Sequence, residues 1–451
     1  MPRACSAPAA CQAVTEQLHL KSRREALCHS GSVRIYLALL RDRRVALIWV
    51  GETLNSFGSG LTLWALAWLL LRTYPTHPLL AALVLSVLSL SSLVGTFVLG
   101  AWLDTWDRRR TLILCNLALA LLTALIPIAA RAAWGPFGGA VPLLILVAAI
   151  GMLRSLPAPA LSATLPSLVS PERLTALQAL FNLTWMTGEL FAAAVAGFLI
   201  SGVGVNVAFW TDAATFLAAA LGYSLVRFPA QPVREEQRSS GVAAWWAQLR
   251  GGWSFVGRRP ALWGMFLGLG MTNAYFYVFG ALFLPRVGER LLGLGRGPLG
   301  VGIIDTVSVG AELLASLWLG RAALGAGMAR PLVLLGCTLP VILAVCVVLA
   351  PSYPLALLFA LLNGIAFAPL SVLVAVYVAR HTPPGLLGRV SSVRSFFSDA
   401  GRPLAMTAAG AMLPLLGLGP LAVALAGIAV LLGLFGYWRG GLQPLAEVEA
   451  Q

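Results

Sequence analysis

The feature that most constrains this chain is a succession of apolar segments, each about as long as a lipid bilayer is thick. A helix rising 1.5 Å per residue needs roughly 20 apolar residues to cross the hydrocarbon core. Cut at its polar breaks, the sequence yields twelve such segments, near residues 45–71, 79–102, 111–131, 139–163, 175–202, 205–227, 261–284, 298–321, 331–350, 352–379, 388–413 and 418–438. The bilayer core offers backbone groups no water, so each N–H and C=O must bond within its own segment and the segments are expected to be helices. The expected fold is therefore all-α and integral to the membrane, with twelve transmembrane helices. Composition agrees: 59% of the residues are hydrophobic and 11% are charged, against roughly 25% charged in soluble domains.

The net charge of +14 would suit nucleic acid only if the basic residues clustered on a solvated face. Here they occupy short breaks between apolar segments, so the expected partner is the lipid bilayer and not nucleic acid. Basic loops are retained on the cytoplasmic side of membranes. With the N-terminus inside, the cytoplasmic segments hold 23 of the 31 Lys and Arg. The opposite loops hold only Arg72, Arg131, Arg286, Arg290 and Arg296, and three arginines fall within spans. Both termini are thus expected in the cytoplasm. The Gly, Ala, Leu and Arg richness with a single lysine, Lys21, suits a GC-rich bacterial genome and hence a multi-pass protein of the inner membrane. A monomer is expected. Residues 1–44 form a basic tail without the apolar stretch and small-residue cleavage site of a secretory signal. Residues 1–32 read as disordered, or as lying ahead of the true start codon.

Six cysteines show no CxxC pair and no metal-ligand spacing, so no disulfide framework, metal or other cofactor is expected. The four histidines, His19, His29, His77 and His381, lie in the tail or in loops. No HExxH, GxSxG or paired-aspartate signature falls in a span, and no catalytic residue is assigned: an intramembrane enzyme is disfavoured, as is a receptor, for want of a sensor domain.

The chain carries traces of an internal duplication. Shifted by 213 positions, residues 171–200 overlie 384–413, matching Gly188 to Gly401 and Gly197 to Gly410. A shift of 220 matches Gly100 to Gly320 and Arg110 to Arg330. This predicts two pseudo-symmetric six-helix halves, residues 45–227 and 261–438, with a cytoplasmic linker at 228–260 and a C-terminal cytoplasmic tail at 439–451. Within the linker, AAWWAQLRGGWSFVGRR carries Trp245, Trp246 and Trp253 beside arginines, the make-up of an amphipathic helix lying in the membrane interface.

Between spans 2 and 3 the chain reads GAWLDTWDRRRTL. Gly100, Asp104, Arg108, Arg109 and Arg110 fit the G-x-x-x-D-x-x-x-R-[KR]-R turn of the major facilitator superfamily. Over roughly residues 40–440 the chain resembles that family, and specifically its bacterial drug and siderophore exporters related to the enterobactin exporter and the macrolide efflux proteins. PALSATLPSLVSPERLTALQAL (159–180), FWTDAATFLAAAL (209–221) and LLGRVSSVRSFF (386–397) carry that likeness. The resemblance implies a cytoplasmic gate in which the motif's charges clasp the end of span 11, here at Arg389. The second-half copy places Leu324 where Asp104 stands, so such a clasp is asymmetric. Span 5 has no Gly-Pro of the family's antiporter motif in GELFAAAVAG (188–197).

Charges at bilayer depth are costly and are functional candidates by default. Glu52 and Arg154 lie at similar depth, about 10–14 Å in, and are expected to form a cavity ion pair whose carboxylate is free to contact substrate or take up a proton, as a further proton-coupling candidate. Glu189 and Glu312 fall near the midplane of spans 5 and 8; two neighbouring carboxylates cannot both ionise easily in low dielectric, which makes them the preferred proton site. Asp305 stands seven residues before Glu312, on the same helical face, as a relay. Asp399 and Arg402 are spaced to pair within their own helix, and Asp212 reads as a packing or capping group. For substrate, Phe57, Trp64, Asn273, Tyr275, Tyr277, Asn363 and Phe367 supply aromatic faces with a few hydrogen-bonding groups, the make-up of a drug-sized pocket. Six intramembrane carboxylates against three arginines would tolerate cationic substrates. The resemblance implies a secondary active transporter driven by the proton gradient and exporting small amphipathic molecules by alternating access. An importer or uniporter on the same fold is the alternative.

Overall fold

Helix Arg108–Arg131 shows how these residues choose their neighbours. Leu114, Leu117, Leu121, Leu125 and Ile128 recur at three- and four-residue intervals and stand exposed, while Leu112, Cys115, Leu119, Thr123 and Ile126 on the other face are buried. Both faces are apolar, so the exposed stripe is one that water would not tolerate and hydrocarbon would.

The computed structural model describes residues 36, 38–99, 106–131, 140–165, 168–226, 242–321, 329–383 and 386–440. Among these residues the chain is helical throughout, in the order α1 (Arg43–Thr73), α2 (Pro78–Val98), α3 (Arg108–Arg131), α4 (Ala140–Arg154), α5 (Pro157–Thr164), α6 (Pro171–Gly202) and α7 (Val205–Leu225). There follow α8 (Val242–Gly257), α9 (Pro260–Val278), a π-helical turn (Phe279–Phe283), α10 (Leu284–Arg321), α11 (Ala329–Leu349), α12 (Tyr353–His381), α13 (Leu387–Leu416) and α14 (Leu418–Gly440). Eight helical stretches are long and apolar enough to cross a membrane, and Ala140–Arg154 and Leu190–Gly202 are shorter apolar ones. α13 falls outside both sets because Arg389, Arg394, Asp399 and Arg402 interrupt its apolar run.

Two segments differ from the sequence expectation. The span predicted over 139–163 is two helices, α4 and α5, broken at Ser155–Leu156 just before Pro157, which takes the N1 position that suits its fixed φ. The segment expected as a loop after residue 284 is helical: α10 begins at Leu284 and is interrupted at Gly293 (φ 72°, ψ 171°), a conformation that only glycine adopts without strain.

The helices before residue 227 pack chiefly on one another, α1 against α6 and α7, α2 against α4, and α3 against α4 and α7. Those after residue 259 do the same, α9 against α13 and α14, α12 against α10 and α11. Two long contacts join the groups, α6 with α10 and α2 with α13, and glycine makes both possible. A Cβ on Gly197 of α6 would lie 2.5 Å from the Pro298 carbonyl oxygen, one on Gly302 of α10 would collide with the Ala193 carbonyl, and one on Gly410 of α13 would collide with Ala82. Hydrogen bonds reinforce the junction: Leu299 N–H donates to Ser201 Oγ (3.0 Å), Ser86 Oγ to the Pro403 carbonyl (3.1 Å) and Thr407 Oγ1 to Ser86 Oγ (2.9 Å). Arg72 crosses from the end of α1 to the Leu294 carbonyl (3.1 Å). All these ties sit in the half of the bundle where α1 ends and α2 begins.

Candidate substrate cavity and buried charges

A cavity of about 320 Å³ opens between α1 and the second group of helices. Trp64 of α1, Phe276 of α9 and Phe367 of α12 give it aromatic walls, with Phe276 and Phe367 edge to face at 5.4 Å. Asn273 and Tyr277 of α9, Asp305 and Glu312 of α10 and Arg402 of α13 supply its polar groups. The π-turn forms part of the wall through Phe279, Gly280 and Ala281. Such turns widen a helix by one residue and recur at functional sites; nothing in the local sequence FGALF marks it.

Of the residues expected to meet substrate, Trp64, Asn273, Tyr277, Asn363 and Phe367 therefore line one cavity, and Tyr275 and Phe57 do not. Tyr275 is 2% exposed and stacks on Phe279 at 6.5 Å, because neighbouring residues of a helix face different ways and its neighbour Phe276 holds the cavity side. Phe57 packs against the core on α1, where its backbone N is opposite Gly188 of α6. Asn363 is already committed on both ends of its amide: Nδ2 donates to the Pro340 carbonyl (2.6 Å) and Oδ1 accepts from Ser308 Oγ (3.2 Å). It ties α10, α11 and α12 together at the cavity wall.

The expected Glu52–Arg154 pair is not formed. Glu52 accepts a hydrogen bond from the Tyr223 hydroxyl of α7 at 2.8 Å, whereas Arg154 faces Asp212 and Tyr277 electrostatically. Tyr223 and Asp212 stand on the same helix, α7, about 16 Å apart along its axis, so Glu52 and Arg154 find their partners at different levels and counting residues from the span ends misjudged their depth. Losing the Glu52 partner in Tyr223→Phe is expected to lower stability by about 1–2 kcal/mol, read as a lower melting midpoint in detergent.

Asp212, which the sequence suggested as a simple packing group, is the most enclosed charge described. It is 0% exposed, its Oδ2 accepts from Thr62 Oγ1 of α1 at 2.5 Å, and its Oδ1 accepts from Thr215 Oγ1 at 3.2 Å. Across from it Gly58 of α1 leaves no room for a Cβ, which is what lets α1 and α7 close over the carboxylate. Arg154 lies within electrostatic reach of Asp212 and of the Tyr277 phenol, and the Arg402 guanidinium carbon lies 5.7 Å from the centre of the Tyr277 ring. Arg402 in turn binds Asp399 at 3.1 Å, the pair expected from their spacing. The Tyr277 hydroxyl is anchored on the Leu85 carbonyl of α2 at 2.9 Å. The helix pairing that brings Asp212 near Arg154 is not in the sequence.

Glu189 lies on α6, but its side chain is outside the described residues; α6 packs against α10, which carries Glu312. In the turn between α2 and α3, Gly100 and Asp104 are outside the described residues. Asp107 caps α3 by accepting from the Arg110 N–H at 2.7 Å. Arg109 reaches the Tyr223 and Ser224 carbonyls at the C-terminal end of α7, where a cation offsets unpaired carbonyls and the helix dipole. Arg108 is half-buried and Arg110 exposed. Arg389 at the start of α13 is exposed and lies against Gly251 of α8. The motif thus secures its own group of helices through Asp107 and Arg109, and Arg389 lies against the linker helix.

Comparison with known proteins extends this picture. The chain is 27% identical over 399 residues to the multidrug efflux pump Tap of Mycolicibacterium fortuitum, covering 86% of this chain and 93% of that protein. Its fold matches the nucleoside transporter NupG (TM-score 0.68, 15% identity, covering 89% of this chain and 100% of that one). It also matches a bacterial homologue of the human lysosomal transporter Spinster in an inward-facing, unoccupied conformation (TM-score 0.69, 16% identity, 88% and 97% covered). A D-xylose–proton symporter matches with a TM-score of 0.67 at 15% identity, covering 88% and 97%. Residues 48–304 match the family model of the Major Facilitator Superfamily. Apolar-surfaced helices in two groups, a polar cavity between them and this family match together make the chain a membrane transporter that belongs to the major facilitator superfamily.

Proposed function

We propose that this transporter exports small amphipathic molecules of the drug type, driven by the proton gradient and working by alternating access. The observation that carries the reading is the cavity: aromatic walls at Trp64, Phe276 and Phe367 around a few polar groups, Asp305 and Glu312 among them. Flat apolar faces gain from stacking and burial, while the carboxylates attract a cationic centre and can also hold a proton. A proton and a cationic substrate then compete for Glu312, with Glu189 or Asp305 as its neighbour, and that competition is the exchange. The likeness to a multidrug efflux pump over 93% of its length supports export; the nucleoside and xylose transporters share the fold alone.

The arrangement in the membrane follows. Twelve spans arise when α4 with α5, α6 and α13 are added to the eight apolar stretches and α9 and α10 are separated at Gly293. They form two six-helix halves, residues 45–227 and 261–438, that rock about the cavity. With both termini in the cytoplasm of a bacterial inner membrane, the ties at Gly197, Gly302, Gly410 and Arg72 all lie on the outer side, which corresponds to an inward-facing state. In the opposite state Asp104 would reach Arg389, the latch the family motif implies; an ion pair at so exposed a place is worth only about 0–1 kcal/mol, which suits a contact broken in every cycle.

Uptake of external ethidium into inverted vesicles tests the function. Gradient-dependent flux is expected, falling to the background of empty vesicles in Glu312→Gln. Flux that survives in this variant and fails in Asp305→Asn would move the coupling site along α10; ethidium flux indifferent to the gradient would remove proton coupling.

A further inference from the structure

Resting on the reading of this cavity as the substrate site, we infer that Arg402 is a specificity residue, and that the preferred substrates are zwitterions carrying an anionic carboxylate opposite their cationic centre. The intramembrane carboxylates alone favour plain cations, but the cavity contains both signs. Asp305 and Glu312 enter it from α10, which packs on α6 and α12; Arg402 enters from α13, which packs on α2 and α9. The charges of opposite sign therefore come from different helices, and Trp64, Phe276 and Phe367 line the same cavity.

The state of Arg402 suits the recognition of a carboxylate. A guanidinium presents five N–H donors in a planar fork. Asp399 engages Nη1 at 3.1 Å, while Nε is buried without a hydrogen-bond partner among the described residues. The guanidinium carbon lies 5.7 Å from the centre of the Tyr277 ring, which holds the fork beside the cavity without using its donors. With Nε enclosed within the protein and the guanidinium half-exposed on the cavity, a substrate carboxylate would meet the Nη donors that Asp399 leaves unused. At about 320 Å³ the cavity is at the small end for drug-sized ligands, so a flat molecule that spans it brings its two ends to the charges of opposite sign.

Rhodamine 110 and its methyl ester, rhodamine 123, differ only in whether the carboxyl is free, and their equilibrium binding to the purified full chain in nanodiscs reads the inference directly. The natural protein is expected to bind rhodamine 110 about tenfold or more tightly than rhodamine 123. In Arg402→Gln that ratio should fall to near one while rhodamine 123 still binds, and Arg402→Lys should restore part of it. Equal affinity for the two dyes in the natural protein, no binding of either, or a preference that persists in Arg402→Gln would each overturn the proposal. Should Arg402→Gln not fold, Asp399→Asn releases the guanidinium from its neighbour and should widen the preference; an unchanged or narrowed ratio would count against it. Export is judged separately by ethidium flux, so dye discrimination without flux would remove the export reading and leave the recognition site standing.

Discussion

Replacing Asp212 with alanine is expected to destabilise the protein by about 3 kcal/mol, read as a marked fall in its melting midpoint in detergent. The substitution leaves the Thr62 hydroxyl without its acceptor inside the α1–α7 contact and removes the negative charge that Arg154 faces. Burying a charge is unfavourable, and breaking its compensation costs more than the compensated arrangement contributed. Asp212→Asn retains an acceptor for Thr62 and is expected to lose about half as much. The double variant Asp212→Asn with Arg154→Gln should be more stable than the sum of the single effects, since each removes a charge the other compensates. Strict additivity would mean that Asp212 and Arg154 are not energetically joined.

Gly302→Val is expected to slow transport more than tenfold while leaving the protein folded. Any side chain at Gly302 meets the Ala193 carbonyl across the α6–α10 contact, and at Gly410 it meets Ala82 across the α2–α13 contact. These clashes lie between the two groups of helices, so separating the groups at the end of the bundle where α1 ends relieves them. The substitution therefore shifts the population away from the state closed at that end without unfolding either group. Gly364 provides the contrast. A Cβ there strikes the Ser308 carbonyl inside one group, between α12 and α10, where no rocking motion relieves it. Gly364→Val should reduce the amount of folded protein. A cysteine at Ser201, near the end of α6 in the α6–α10 contact, should react with a membrane-impermeant maleimide faster in Gly302→Val than in the unsubstituted background. Equal labelling with normal transport would show that closure at this contact is not part of the cycle.

Much of the molecule was legible in the one-dimensional pattern because hydrocarbon imposes a strict length rule on each helix. Helix starts at Pro78, Pro171 and Pro260 fall close to their expected positions, since proline at N1 marks a helix start whatever surrounds it. The break at Ser155–Leu156 and the helical stretch after Leu284 were less legible, because an apolar run looks alike on either side of a break. Among the candidate site residues, the aromatic and polar side chains of α9 and α12 were found by type. The faces they occupy were not: Phe276 rather than Tyr275 holds the cavity wall, and Asn363 is spent on Ser308 and Pro340.

By itself the sequence determined the class of fold, the family and the supply of charges placed at bilayer depth, because these depend on segment length, on a local motif and on residue type. The tertiary structure alone decided the partners. Glu52 meets Tyr223 and Arg154 lies in the field of Asp212 because of how α1, α4 and α7 pack on one another, with the close contact at Gly58 fixing where α1 meets α7. The same holds for Arg402: its spacing from Asp399 foretold the ion pair, but only the packing of α13 against α2 and α9 placed it on the cavity. Depth is written along one dimension of the chain, whereas azimuth emerges only when helices distant in sequence pack together.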